Sequence, residues 1–394
     1  MKRRLLILGA SSLQLPAIKV AKHKGFLVGV VDRDPYAVGM DYADVCYQVS
    51  TTDIDGVLNV AAEFQPDGVF TLATDMPVRT AAVCASELGL LGISVDTAWK
   101  ATDKGKMMEC LKKHQIPAPW FRVVSSEEEL NQLKQSISYP CVIKPVDSAG
   151  SRGVILVHQE KDLEQGFHYS KSASQKGTVI IEEYLRGHEV SVETMTIKGQ
   201  THVLAITDKE TTGPPHFVEI GHTQPSILDS ETKSRVEAVA RSAVEAIGID
   251  IGPAHVEIMV TEDGPKIIEL GARLGGDFIA THLIPLSTGL DAVSIAIDVL
   301  TGRVPDITPK YYKGSAIRYL APKSGVIEDI HGVEQAKGIP GVRDVSLMLT
   351  VGDMVKNATN SSERFGYVIA QGHDREAACR ISNEAIHTIR IITR

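Results

Sequence analysis

The chain has 394 residues, 43% hydrophobic and 23% charged, with a formal net charge of −8. That length accommodates two or three domains, and the acidic balance argues against nucleic acid as the main partner. No run of eighteen apolar residues occurs, so no membrane-spanning helix and no membrane partner is expected; the five scattered cysteines, without CxxC spacing, read as buried filler in a reducing cytoplasm.

Met1 to Gly9 has a basic start and a short apolar run, Leu5-Leu6-Ile7-Leu8, which is too short for a signal peptide and ends in a strand-to-helix turn. A helix to Lys24 and a second apolar run ending at Asp32 complete a βαβ unit. An acid there imitates a dinucleotide site. However, Gly9-Ala10-Ser11-Ser12-Leu13-Gln14 lacks the second and third glycines that admit a pyrophosphate, so NAD is not expected. A strand over 68–72 and a helix over 77–88 extend the alternation. Asp75 lies just past that strand's end, where open α/β sheets place ligands; its alternative role is to cap the next helix.

Thr102-Asp103-Lys104 opens a helix stopped by Pro117 and Pro119, and Ser126-Glu127-Glu128-Glu129 is a capping box. Pro140-Cys141-Val142-Ile143-Lys144-Pro145 reads as an apolar strand whose lysine needs an anion or a route to water. Ser148-Ala149-Gly150-Ser151-Arg152-Gly153 follows, a loop whose backbone N–H groups can wrap phosphate oxygens, although no GxxxxGK[ST] loop occurs. A strand over 178–185 and an alternating run over 189–193 come next. Thr211-Thr212-Gly213-Pro214-Pro215-His216, leading to Glu219 and His222, reads as a loop. From Ser230 an amphipathic helix runs to Ile247 and stops at Gly248.

Two β-rich runs, His255-Val256-Glu257-Ile258-Met259 and Ile267-Ile268-Glu269-Leu270-Gly271, flank Glu262-Asp263-Gly264 and predict a hairpin with a three-residue loop. Glu257 then faces Glu269 on one side with Met259 and Ile267, while Val256, Ile258, Val260, Ile268 and Leu270 face the core. Opposed carboxylates repel, and a hard cation between them relieves the repulsion. Oxygen-only ligation points to Mg²⁺ that keeps waters and substrate phosphates; a solvent-exposed hairpin with two unrelated acids is the alternative. After Gly275-Gly276-Asp277 and a helix over 291–300, Gly302 and Pro305 mark a boundary. Strand-like runs over 316–320, 345–351 and 367–370 and a helix from Asp374 form a small α+β cap.

The order of Lys104, Lys144 with its Gly-rich loop, Glu182-Glu183-Tyr184-Leu185, Glu189, Glu257, Glu269 and Arg273 resembles the ATP-grasp superfamily over nearly the whole chain. The tail, from Gly314-Ser315-Ala316-Ile317-Arg318-Tyr319 to Gly366-Tyr367-Val368-Ile369-Ala370, is similar to the C-terminal domain of the dipeptide-forming L-amino acid ligases within it. The resemblance implies an α/β and α+β architecture: a Rossmann-like pre-ATP-grasp domain over 1–102, an ATP-grasp domain over 103–305 with a lid subdomain over about 118–183, and the α+β cap over 306–394.

It further implies ATP and Mg²⁺ as cofactors, with Mn²⁺ as the alternative ion. Lys104 and Lys144 would contact the phosphates under a lid that includes Ser148, Ser151 and Gly153. Glu182 and the backbone of Glu183, Tyr184 and Leu185 would read adenine, Glu189 the ribose, and Glu257 and Glu269 the metal. Arg273, with Lys144, would serve catalysis, facing an acyl phosphate and the oxyanion formed when an amine attacks it. The substrate side would take Glu219, His222, Asp277 and Arg318, with Asp75 from the first domain. Gly271 stands where most members have an asparagine ligand for a second metal. The implied activity is an ADP-forming carboxylate–amine ligase acting on small molecules, amino acids in the first place, with a homodimer as the default assembly. A bicarbonate- or ribosylamine-using relative and a non-catalytic nucleotide-binding regulator are the alternatives. His255, Asp277 and the departing phosphate are the candidate bases.

Overall fold

The computed structural model describes residues 2–394; Met1, the first residue of the opening run, lies outside them. Strands Arg4–Leu8, Leu27–Asp32, Val45–Gln48 and Gly68–Phe70 form a parallel sheet in the order third, second, first, fourth. Leu5, Leu6, Ile7 and Leu8 are all fully buried, which is why this strand is continuously apolar rather than alternating. Leu6 and Leu8 pack with Val57 and Phe64 of helix Ile54–Phe64, and Leu5 and Ile7 with Ile18 of helix Leu15–His23 and Ile297 of helix Ala292–Leu300. The acid that imitates a dinucleotide site is used locally: Asp32 accepts the Ala10 N–H at 2.8 Å and closes the turn on itself.

A second sheet, antiparallel, takes Phe121–Val124, Val179–Glu183, Cys141–Pro145 and Ile155–Val157 in that order. The capping box forms here, with Ser126 accepting the Glu129 N–H and Glu129 accepting that of Ser125. The third sheet has eight strands in the order Gly264–Gly271, Gly252–Thr261, His188–Ile197, Gln200–Thr211, Glu219–Gln224, Gly314–Tyr319, Gly366–Gly372, Val342–Leu347. The C-terminal strands therefore continue the sheet that carries the Glu257–Glu269 hairpin. Helix Ser230–Ile247 covers it through Val236, Ala240, Ala243, Val244 and Ile247, and ends at Gly248 with φ +95°.

Two sequence expectations change. Glu219–Gln224 is an inner strand, not part of a loop. Glu219-Ile220-Gly221-His222-Thr223-Gln224 shows no apolar alternation, because the buried face is satisfied by hydrogen bonds: Gln224 donates to Thr207 at 2.7 Å and accepts from Ser287 at 2.8 Å. In the Glu257–Glu269 hairpin, Thr261 pairs with Gly264 across a tighter Glu262-Asp263 turn, and the extra residue is a bulge between Glu257 and Ile258. The bulge restores the Glu257–Glu269 pairing but exchanges two neighbours. Ile267 is buried in the core with Ile258, and Ile268 lines the site.

Among the described residues no single helix is long and apolar enough to cross a membrane.

Candidate active site

A cavity of about 170 Å³ opens between the four-stranded antiparallel sheet and the face of the eight-stranded sheet that carries the opposed glutamates. Helix Lys104–Lys113, capped by Asp103, presents Lys104 at its first position; Lys104 Nζ donates to the Ser148 carbonyl at 2.6 Å and pairs with Glu269 at 2.9 Å. Burial alone would depress this ammonium, but Glu269 outweighs it and holds the pKa above the usual lysine value. Lys144 pairs with Glu182 Oε2 at 2.7 Å and donates to the Ile268 carbonyl at 3.3 Å, giving its strand lysine the anion it needs.

Glu182 keeps its other oxygen, Oε1, buried without a hydrogen-bond partner. Burial raises its pKa even against Lys144. Such an acceptor calls for a donor from a ligand. Beside it, Tyr184 and Phe217 place their rings 6.0 Å apart on the cavity wall, with Glu183 and Leu185 adjoining. The 148–153 loop lies closed: Ser151 Oγ donates to the Phe217 carbonyl at 3.1 Å and Gly150 accepts from Ser361 N at 3.1 Å. Ser148 and Ser151 line the cavity, whereas Gly153 turns the loop behind it at φ +76°, where a Cβ would meet Ala173 at 2.6 Å.

Glu257 and Glu269 both line the cavity with Glu189. The cation shared by Glu189, Glu257 and Glu219 escaped sequence reasoning: Lys209 Nζ lies 2.8 Å from Glu189, 3.1 Å from Glu257 and 3.6 Å from Glu219. A charged residue in the interior of the strand Gln200–Thr211 was the available signal, the same one that marks Lys144. Behind Glu257 sits His255, bonded through Nδ1 to the fully buried Glu193 and through Nε2 to Glu257 at 3.3 Å. Burial opposes its charge, yet Glu193 and Glu257 lift its pKa to about 9. Lys209 and His255 together overcome burial and hold Glu257 well below the usual range. Among the described residues no group of three or more metal-ligating side chains converges. Two charged carboxylates fit a divalent ion whose remaining ligands are phosphate and water oxygens.

A larger cavity of about 660 Å³ adjoins the first and shares Lys104, Glu269, Arg152 and Ser148 with it. It lies over the ends of the parallel strands, as the open-sheet rule predicts. Asp75 and Asp277 line it and each is clamped by an arginine. Arg273 Nε and Nη2 lie 2.8 and 3.2 Å from the two Asp75 oxygens; Arg364 Nη1 and Nη2 lie 2.7 and 2.5 Å from those of Asp277. Asp75 makes no cap bond to the helix it precedes. Burial notwithstanding, hydrogen bonds and charge from Arg364 and His222 hold Asp277 far below the carboxylate range. Arg364, in a Ser-rich stretch without periodicity, gave no sequence signal.

His222 and Arg318 are placed differently from expectation. His222 is 2% exposed and stands behind Asp277, 3.2 Å from its Oδ2, outside the lining of either cavity. Arg318 also lies outside both linings. Its guanidinium is drawn to Asn383 at 3.0 Å, Thr223 at 3.2 Å and Glu210 at 3.0 Å, riveting the sheet to helix Arg375–Thr388. Glu219 does line the first cavity, bonded to Ser361.

Residues 137–281 match the ATP-grasp domain, and residues 318–394 match the L-amino acid ligase C-terminal domain 2. The L-amino acid ligase of Bacillus licheniformis superposes with a TM-score of 0.85 at 25% identity, covering 100% of both chains. An L-arginine-specific L-amino acid ligase of Bacillus subtilis is 24% identical over 85% of this chain and 84% of its own length. The alanine–anticapsin ligase of Bacillus subtilis is 28% identical over 63% of this chain, which spans only 56% of that relative. With the fold, the two domain matches and these relatives in agreement, the chain carries an ATP-grasp domain followed by a domain that matches the L-amino acid ligase C-terminal domain 2.

Proposed function

We propose that the protein is an ADP-forming ligase that joins two amino acids, activating the carboxylate of the first as an acyl phosphate. The single observation that carries this reading is the continuity of the two cavities, with Lys104 and Glu269 on the wall of both. A phosphate group held at that junction reaches a carboxylate held in the second cavity.

In this reading the unpartnered Glu182 Oε1 takes the adenine amino group beside Tyr184, and Glu189 takes ribose hydroxyls. Lys104 and Lys144 meet the phosphates under the 148–153 loop, and Glu257 and Glu269 hold Mg²⁺. A divalent ion there supplies charge neutralisation on the transferring phosphoryl oxygens. The substrate carboxylate attacks the γ-phosphorus, the bond to ADP breaks, and an acyl phosphate forms. Arg273, planar and permanently charged, then faces the phosphate and the oxyanion that develops as the amine attacks the acyl carbon. The amine's proton must leave. His255 is engaged by Glu193 and Glu257, and Asp277 by Arg364 and His222, so in this reading the departing phosphate takes it. Closure of the loop keeps water from the acyl phosphate. On the same reading the chain divides at about residues 102 and 305, and the second cavity holds the amino acids.

The test is ADP and phosphate release from Mg²⁺ and ATP with pooled amino acids, with products read by mass spectrometry. Release that requires amino acids and yields a condensed product is expected. Release that depends on bicarbonate instead, or tight ATP binding without turnover in any pool, would overturn the reading.

A further inference from the structure

We propose that Asp75 is a positioning residue for Arg273, reaching from the first sheet to lock the guanidinium, and that Gly271 is a glycine because the Asp75 carboxylate fills the space of its side chain. The inference rests on the role of Arg273 in the reading above.

Three independent features converge. The carboxylate takes Nε and one Nη2 hydrogen of Arg273, the edge contact that fixes the plane of the guanidinium. Nη1 makes only a 3.4 Å contact with the Leu274 carbonyl, so the outer edge is available to a ligand in the cavity that Arg273 lines. A Cβ at residue 271 would lie 2.9 Å from Asp75 Oδ1, 3.3 Å from Arg273 Nε and 3.4 Å from its Cζ, so even alanine presses on the ion pair. Finally, the segment that carries Asp75 is held for this contact. Ala73 adopts φ +61°, a conformation uncommon for a residue with a Cβ. The helix Met76–Glu87 forgoes its N-cap bond and is anchored instead through Arg79, which donates to Thr102 Oγ1 at 2.6 Å and to its carbonyl at 2.8 Å. Thr102 precedes Lys104 by two residues, so one helix ties both the arginine and the phosphate lysine to the first domain.

An unanchored arginine would sample many rotamers in a cavity of this size, and rate rather than affinity would suffer. The test is a cycle of Asp75→Ala, Gly271→Ala and the double variant, with Asp75→Asn as the isosteric variant should alanine impair folding. Each single substitution is expected to lower kcat at least about tenfold while the dissociation constant for Mg·ATP stays within about twofold. The double variant is expected to be no slower than Asp75→Ala alone, because the carboxylate that the new Cβ displaces is already gone. Losses that multiply would overturn the proposal. So would an Asp75→Ala enzyme whose kcat recovers at saturating amine with only KM raised, the signature of a direct substrate contact. Thermal unfolding supplies a readout independent of turnover: Asp75→Ala and Arg273→Ala should lower the midpoint by clearly less together than the sum of each alone, and additive shifts would refute the pairing. If the wild type forms no product with any amino acid, the functional reading fails while this second cycle still decides the proposal.

Discussion

The two cavities are built by different means. The walls of the smaller one are strands: Lys144 and Glu182 pair diagonally across neighbouring strands, and Glu257 and Glu269 sit opposite each other across a hairpin. Its charges balance within a few residues of sheet, around Lys209. The larger one is held by two arginine–aspartate clamps that join segments far apart in sequence, Asp75 to Arg273 and Asp277 to Arg364. A rigid sheet suits a ligand that never changes, whereas loops joined by clamps can vary with the substrate while the clamps keep the reacting groups in place. On the proposed reading, the smaller cavity is the phosphate end and the larger the acceptor end, and the two should therefore fail differently when perturbed.

The most severe break is expected at the junction. Glu269→Ala removes the partner of Lys104 and one of the two carboxylates proposed to hold Mg²⁺, and should lower the rate of ADP release by about 10²–10³-fold, measured at saturating ATP. Lys209→Met tests whether the strand-built end is balanced as a unit. It leaves Glu189, Glu219 and Glu257 without their shared cation and should cost about 3 kcal/mol in urea unfolding. Mg²⁺ should restore more stability to this variant than to the wild type, because the uncompensated carboxylates then attract the ion. Asp277→Asn cuts the second clamp and should cost about 2 kcal/mol, since Arg364 keeps a cation–π contact at 3.8 Å from Tyr319. Nucleotide affinity should hardly move in Asp277→Asn, and a large change there would erase the distinction between the two ends.

This division also tracks what was legible. The parallel sheet, the capped helices and the Glu257–Glu269 pairing follow from periodicity and turn chemistry, which act over a few residues. The pairing emerged although the loop length was misread, because the bulge beside Glu257 restores the register that the tighter turn removes. Polar burial hid the rest. The strand Glu219–Gln224 has the composition of a loop because hydrogen bonds, not apolar contacts, satisfy its buried face. Arg364 and the Asp75–Arg273 clamp depend on segments meeting in space, and nothing local announces that. Arg318 shows the converse: a charged residue in a recognisable motif that serves packing against a helix.

The smallest expected effect lies outside both cavities and acts as their control. Asp208, buried in the large sheet, accepts from Ser226 Oγ at 2.6 Å, Ile227 N at 2.9 Å and Arg375 at 2.7 Å, and His188 Nε2 lies 2.8 Å from it. The bond to Asp208 outweighs burial and raises the His188 pKa above its usual 6.5. Because the folded pKa is the higher one, this contribution to stability is complete below 6.5 and is lost as pH rises through the folded value. With a side chain 41% exposed, and Asp208 still paired to Arg375 after deprotonation, the loss should stay below about 1 kcal/mol. Thermal midpoints between about pH 6 and about pH 8 should therefore fall slightly more in the wild type than in His188→Gln. Rates of ADP release should coincide for the two proteins across that range. A His188→Gln enzyme with an altered pH–rate profile would mean that the sheet transmits charge from its edge to the cavity, and the separation between a self-balanced phosphate end and its surroundings would fall with it.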